Sequence, residues 1–202
     1  SIEQWNTYLH AVLFRSSAAY LNQDFVTANF EFYGKVLEGT EEMKERSKRV
    51  VEHTNSALGF AIGEVYVERH FGPKAKEIAL GMVDQILAVM KERLSDLEWM
   101  GEETRKQAIN KLNTILPKIG YPDEWRDYSA MEIKDQPYIL NVLAAREFNY
   151  QYRLDKIGKP VDKKEWGITP QTVNAYYKPS KNEIVFPAGI LQPPFFHESV
   201  HV

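Results

Sequence analysis

Apolar residues recur every three to four positions along most of the chain and give way to a strand-like pattern only near its end. From Ile2 to about Leu21, the positions of Trp5, Leu9, Val12, Leu13, Ala19 and Tyr20 predict an amphipathic helix. Phe25, Phe30, Phe32 and Tyr33 predict a shorter helix with a loop that stops near Gly39. A long helix is expected from Thr40 to Phe71, with Thr40 as its N-cap and Glu41 and Glu42 in the first turn, where the helix dipole favours anions. Val51, Leu58, Ile62 and Val65 form its apolar stripe. Gly59 and Gly63 lie about one turn apart on it, which costs helix propensity but lets a neighbouring segment approach closely.

Gly72-Pro73 ends that helix and starts the next, since glycine suits the position past a C-terminus and proline the first helical position. From Pro73 to about Leu97, Ala75, Ile78, Ala79, Met82, Ile86, Val89, Met90, Leu94 and Leu97 make a continuous stripe. Another helix is expected from about Glu102 to Leu116, with Pro117 as its stop. Gly120-Tyr121-Pro122 reads as a turn, and Trp125 to Met131 as irregular. Pro137 to about Asp155 reads as one more helix, and Lys156 to Lys164 as a basic, solvated loop. Beyond Trp166 the helical period stops, and β-branched residues, aromatics and prolines take over. Val173-Tyr177 and Glu183-Phe186 have strand character around the turn-like Lys178-Pro179-Ser180-Lys181-Asn182, so a β-hairpin is expected. The predicted fold is mainly α, with residues 1–165 a helical region and residues 166–202 a small C-terminal β-hairpin followed by a motif that carries chemistry.

Composition narrows the function classes. With 202 residues, 44% hydrophobic and 26% charged, the chain is an ordinary globular one, long enough for one well-cored domain or two small ones. Its net charge of −3 supplies no electrostatic footprint for nucleic acid or an anionic membrane. No apolar run approaches the roughly 18 residues that span a bilayer, and no signal-peptide pattern is visible, so a targeting segment is expected to be cleaved or to lie outside this sequence. The absence of cysteine excludes disulfides and thiol catalysis, and restricts any zinc site to histidine and carboxylate ligands.

His197-Glu198-Ser199-Val200-His201 is an HExxH motif. On a helix, His197 and His201 would share one face and could hold a zinc ion, with Glu198 beside them as general base. A catalytic zinc takes three protein ligands plus water, and spacing nominates no third. His10, His53 and His70 fall in helical patterns, where a lone histidine is more often a surface or core residue than a ligand. The hairpin supplies a second candidate function: an exposed strand edge offers its N–H and C=O groups to an extended peptide, and the side chain of Asn174 adds an amide contact.

The run VNAYYKPSKNEIVFPAGILQPPFF resembles the neprilysin and endothelin-converting-enzyme family of zinc metallopeptidases. The resemblance extends upstream through Val67-Glu68-Arg69-His70-Phe71, Trp99-Met100 with Glu103-Thr104-Arg105, Ile119-Gly120-Tyr121-Pro122, Asp127-Tyr128, and Trp166 with Thr169-Pro170-Gln171-Thr172. It implies two largely helical lobes around a chamber that admits peptides, with the hairpin at the edge of a zincin-like catalytic region. It also implies that Asn174 and Ala175 bind the substrate backbone, that His197 and His201 are zinc ligands, and that Glu198 is the catalytic base. Family members carry a segment between PPFF and HExxH that is missing here, and continue into a helix that brings a glutamate as third ligand. The chain is therefore expected to be a middle portion of a larger enzyme. Three functional readings follow: a zinc-dependent endopeptidase of short peptides, or a portion of one, in an extracytoplasmic setting; a non-catalytic peptide-binding module; and a fragment that needs a complementing chain for the third ligand.

Overall fold

The computed structural model describes residues 1–199, and helices dominate it, as the periodicity predicts. Val200, His201 and Val202 lie outside the described residues. Contacts gather the chain into two compact units, residues 1–58 with 127–160 and residues 59–126 with 161–202.

In the first unit, α1 (Ile2–Ser17) begins with a reciprocal cap: Ser1 Oγ accepts from the Gln4 N–H, and Gln4 Oε1 accepts from the Ser1 amine. A short 3₁₀ turn (Ala18–Tyr20) leads to α2 (Gln23–Asn29), capped by Asn22, whose Oδ1 accepts from the Phe25 N–H. That helix widens into a π-helical stretch, Phe30–Leu37. The next helix does not begin at Thr40. Thr40 donates its N–H to the Gly34 carbonyl (2.9 Å), closing the π-helical stretch, and lies too far before the next helix to cap it. Residues 41–45 are irregular, and α3 starts at Arg46 and runs to His70 with non-helical backbone at Leu58. The last helix of this unit, which will be α6 in chain order, reaches its neighbours through side chains: Arg146 donates to the Ser16 carbonyl and Asn149 to the Ala57 carbonyl.

In the second unit, the Gly59–Gly63 face of α3 takes the segment Thr169-Pro170-Gln171, as its small residues predict. A Cβ at Gly63 would stand 2.7 Å from Pro170 Cδ, and one at Gly59 2.7 Å from Thr169 Cγ2. Gln171 Nε2 also donates to the Gly59 carbonyl (2.9 Å). Gly72 and Pro73 act as expected, with α4 spanning Pro73–Ser95, and α5 follows at Glu102–Asn113. A strand then appears where the helix was expected to reach Leu116. This is β1 (Leu116–Gly120), and Pro117 lies within it. After α6 (Tyr138–Leu154) come β2 (Tyr176–Lys178) and β3 (Glu183–Pro187), the predicted hairpin, except that its first strand starts at Tyr176 rather than Val173 and leaves Asn174 and Ala175 just before it. The sheet order is β1-β3-β2, with β3 parallel to β1 and antiparallel to β2. Val67, Phe71, Ala75 and Ala188 form a core beside the sheet, flanked by Tyr66, Tyr121, Trp125, Leu191 and Phe196. Gly120 ends β1 at φ +77° with Phe71 Cε1 only 2.5 Å from where a Cβ would stand, so glycine is required there on both counts.

The apolar stripes are only partly buried. Ala75 and Ala79 of α4 are buried, but Ile86 is 64% exposed, with Val89 and Met90 exposed beside it. Trp5, Leu9 and Leu13 of α1 are exposed as well.

Candidate peptide-docking edge and metal motif

Because β3 lies between β1 and β2, β2 has a single strand neighbour, and its other edge carries no strand among the described residues. Tyr176 pairs with Val185, Tyr177 with Ile184 and Lys178 with Glu183 across the hairpin. Asn182 turns the chain at φ +50°, a left-handed conformation that asparagine tolerates better than most residues. Its side chain ties the turn down: Oδ1 accepts from the Tyr177 hydroxyl (2.9 Å), and Nδ2 donates to the Lys111 carbonyl (2.8 Å) and to Thr114 Oγ1 (2.9 Å).

Asn174 and Ala175 lead directly into this edge. Asn174 is exposed, its N–H donates to the Thr172 carbonyl (3.1 Å), and its Oδ1 accepts from the Ala175 N–H (2.7 Å). The side-chain oxygen thus accepts from its own backbone, which orients the amide. The segment before it is pinned from behind. Gly189 donates to the Pro170 carbonyl (2.7 Å), Ala188 donates to the Gly120 carbonyl (2.7 Å), and the Thr169 and Thr172 hydroxyls meet at 2.9 Å.

Behind the edge lies a charged cluster absent from the sequence reading. Glu183 is 1% exposed and Lys118 6%. Lys118 Nζ donates to Glu183 Oε2 at 2.6 Å and to the Glu165 carbonyl at 2.7 Å. The Tyr176 hydroxyl donates to Glu183 Oε1 over 3.4 Å and accepts from the Gly167 N–H at 3.2 Å. Burial pushes the Tyr176 phenol above its ordinary range, with the Gly167 N–H opposing and the Glu183 carboxylate adding to the rise. A signal for this cluster exists in the sequence. Glu183 is in phase with Val185 and Pro187, all three buried, so a carboxylate on that face calls for a cation on an adjoining strand.

The metal motif is not assembled in the described residues. His197, Glu198 and Ser199 are exposed and lie in a turn region, not in a helix. His197 Nδ1 accepts from the Ser199 N–H (3.1 Å) and lies 2.6 Å from Ser199 Oγ. Residues 197–199 are not helical, so the helix on which the two histidines would share a face is not seen there. His201 lies outside the described residues. Among the described residues, no three His, Asp or Glu side chains converge on one metal position. A catalytic zinc takes three converging donors, and one of the motif's two histidines, His201, is outside the described residues.

Two family models, both described as peptidase family M13, match residues 1–122 and 174–201. The chain is 40% identical to an endothelin-converting enzyme homolog of Locusta migratoria over 198 residues, covering 95% of this chain and 27% of that protein. It is 39% identical to endothelin-converting enzyme 1 of Homo sapiens over 207 residues, covering 96% of this chain and 26% of that protein. Among solved structures it is similar to the zinc metalloprotease ZMP1 of Mycobacterium tuberculosis in its open state: 42% identity and a TM-score of 0.90 over 100% of this chain and 31% of that one. The chain thus spans about a quarter of the curated relatives it matches.

Proposed function

As the chain belongs to peptidase family M13, we propose that it is the peptide-docking portion of a zinc-dependent endopeptidase acting on short peptides. A carboxylate from further polypeptide completes the catalytic centre in this reading. The observation that carries it is the single-neighbour strand β2, entered through Ala175 and an exposed Asn174 whose Oδ1 accepts from the Ala175 N–H. An extended peptide adds there as a further strand. Asn174 Nδ2 donates to a peptide carbonyl. The Ala175 N–H is already taken by Asn174 Oδ1, so Ala175 contributes its carbonyl as acceptor.

His197 and His201 are the proposed zinc ligands and Glu198 the proposed base, brought together when residues 197–201 become helical against added polypeptide. The same reading puts the enzyme in an extracytoplasmic setting. No helix among the described residues is long and apolar enough to cross a membrane. The other occupation of this edge is a peptide-binding module without catalysis, and it makes the same docking prediction.

Asn174→Ala is expected to weaken binding of a short extended peptide by about 1–3 kcal/mol, the cost of leaving hydrogen-bond partners unmet. Isothermal titration of parent and variant measures it. Equal affinities would return the hairpin to a purely structural role.

A further inference from the structure

We infer that Tyr176 is a positioning residue for peptide docking, held by the buried Lys118–Glu183 pair so that its hydroxyl fixes where Asn174 and Ala175 stand. The inference rests on the docking reading above and adds a control element behind the edge.

Tyr176 follows Ala175 directly, and its hydroxyl reaches both the buried Glu183 carboxylate and the Gly167 N–H. Lys118 commits Glu183 Oε2, which leaves Oε1 facing the phenol. Lys118 also ties the Glu165 carbonyl, two residues before the Gly167 N–H that the phenol accepts. The phenol therefore closes a circuit through all three strands: Lys118 from β1, Glu183 from β3 and Tyr176 from β2. Removing its oxygen leaves the backbone ladder and the ion pair intact but frees the start of β2 to shift. A shift there moves Asn174 and Ala175, whose own hydrogen bonds, Ala175 N–H to Asn174 Oδ1 and Asn174 N–H to the Thr172 carbonyl, stay within their segment.

Gly167 permits a test from the opposite side. A Cβ on Gly167 would stand 2.8 Å from the Tyr176 oxygen but 3.5 Å from Cζ, so alanine there displaces the hydroxyl and tolerates a bare ring. Peptide affinity is measured by titration for the parent, Tyr176→Phe, Gly167→Ala and the double variant, with thermal midpoints and amide exchange of residues 174–178 alongside.

Each single variant is expected to lose roughly three- to tenfold in affinity, the size of one net hydrogen bond, with faster exchange at 174–178 and a midpoint close to the parent's. The double variant should be no weaker than Tyr176→Phe, since the added methyl then meets no oxygen. Losses that multiply would overturn the inference, as would single variants within twofold of a parent that binds. A parent that binds no peptide would sink the docking reading and this inference with it. Exchange at 174–178 unchanged by Tyr176→Phe would defeat the positioning claim alone.

Discussion

Replacing Lys118 with methionine is expected to remove about 3–5 kcal/mol of folding stability, the largest single-site loss anticipated in the chain. Methionine keeps most of the volume of the lysine stem and removes the ammonium. Glu183, 1% exposed, is then left as a buried carboxylate whose one remaining partner is the Tyr176 hydroxyl at 3.4 Å. The Glu165 carbonyl loses its donor at the same time. Since domains of this size are stable by about 5–15 kcal/mol, such a loss is a large fraction of the total. The midpoint of urea unfolding should fall accordingly. Adding Glu183→Met to the first change should recover much of the loss, because an apolar pair of similar volume avoids burying a charge at all. A single variant that loses less than about 1 kcal/mol would mean that water reaches the pair and that the cluster is not the anchor described above.

Gly189→Ala is expected to cost about 3 kcal/mol, at the upper end of what overpacking usually costs, because the obstruction is backbone rather than a movable side chain. The new Cβ would stand 2.6 Å from the Gln171 carbonyl oxygen, 2.7 Å from its carbon and 2.8 Å from the Thr172 oxygen. Relief requires the 170–172 segment to withdraw, which strains the 2.7 Å bond from the Gly189 N–H to the Pro170 carbonyl. That segment leads straight to Asn174, so peptide affinity should fall with stability. Gly81→Ala in α4 is the matched control. Nothing lies within 4 Å of its Cβ position, and alanine should stabilise the helix by up to about 1 kcal/mol. Equal stabilities of the Gly189→Ala variant and the parent, by thermal unfolding, would contradict the packing described for this turn.

The comparison of sequence with structure divides along physical lines. Periodicity located the helices because it is a local signal, and Gly72-Pro73 marked its boundary because glycine and proline act on their own backbone. The Gly59–Gly63 spacing announced a close approach, which Thr169 and Pro170 make. The strand β1 was hidden because its pairing with β3 is parallel and joins residues more than sixty positions apart, and because Pro117 within it reads as a helix stop. Thr40 looked like a cap because two glutamates follow it, but its N–H closes the preceding π-helical stretch and the next helix begins only at Arg46. The exposed residues of α1 and α4 show a further limit: a stripe says that a face is apolar and not what covers it.

The candidate site was legible in part for the same reasons. Asn174 and Ala175 were placed at a strand edge, and the structure puts them at the entry to β2. Glu183 was read only as a strand residue, although its phase with Val185 marks it as buried. HExxH was legible as a motif, but its geometry depends on a helix that residues 197–199 do not form. Motif chemistry is written in a few residues, whereas the helix that aligns them must be stabilised by packing elsewhere.

The central proposal is that this chain docks extended peptides and takes the third zinc ligand from further polypeptide. It is tested most directly by incubating the purified chain and added zinc with a short quenched fluorescent peptide, following anisotropy and cleavage together. The account predicts saturable binding, weakened by Asn174→Ala, without chelator-sensitive cleavage. Robust cleavage that is abolished by chelator and by Glu198→Gln would contradict it, as would the absence of any saturable binding.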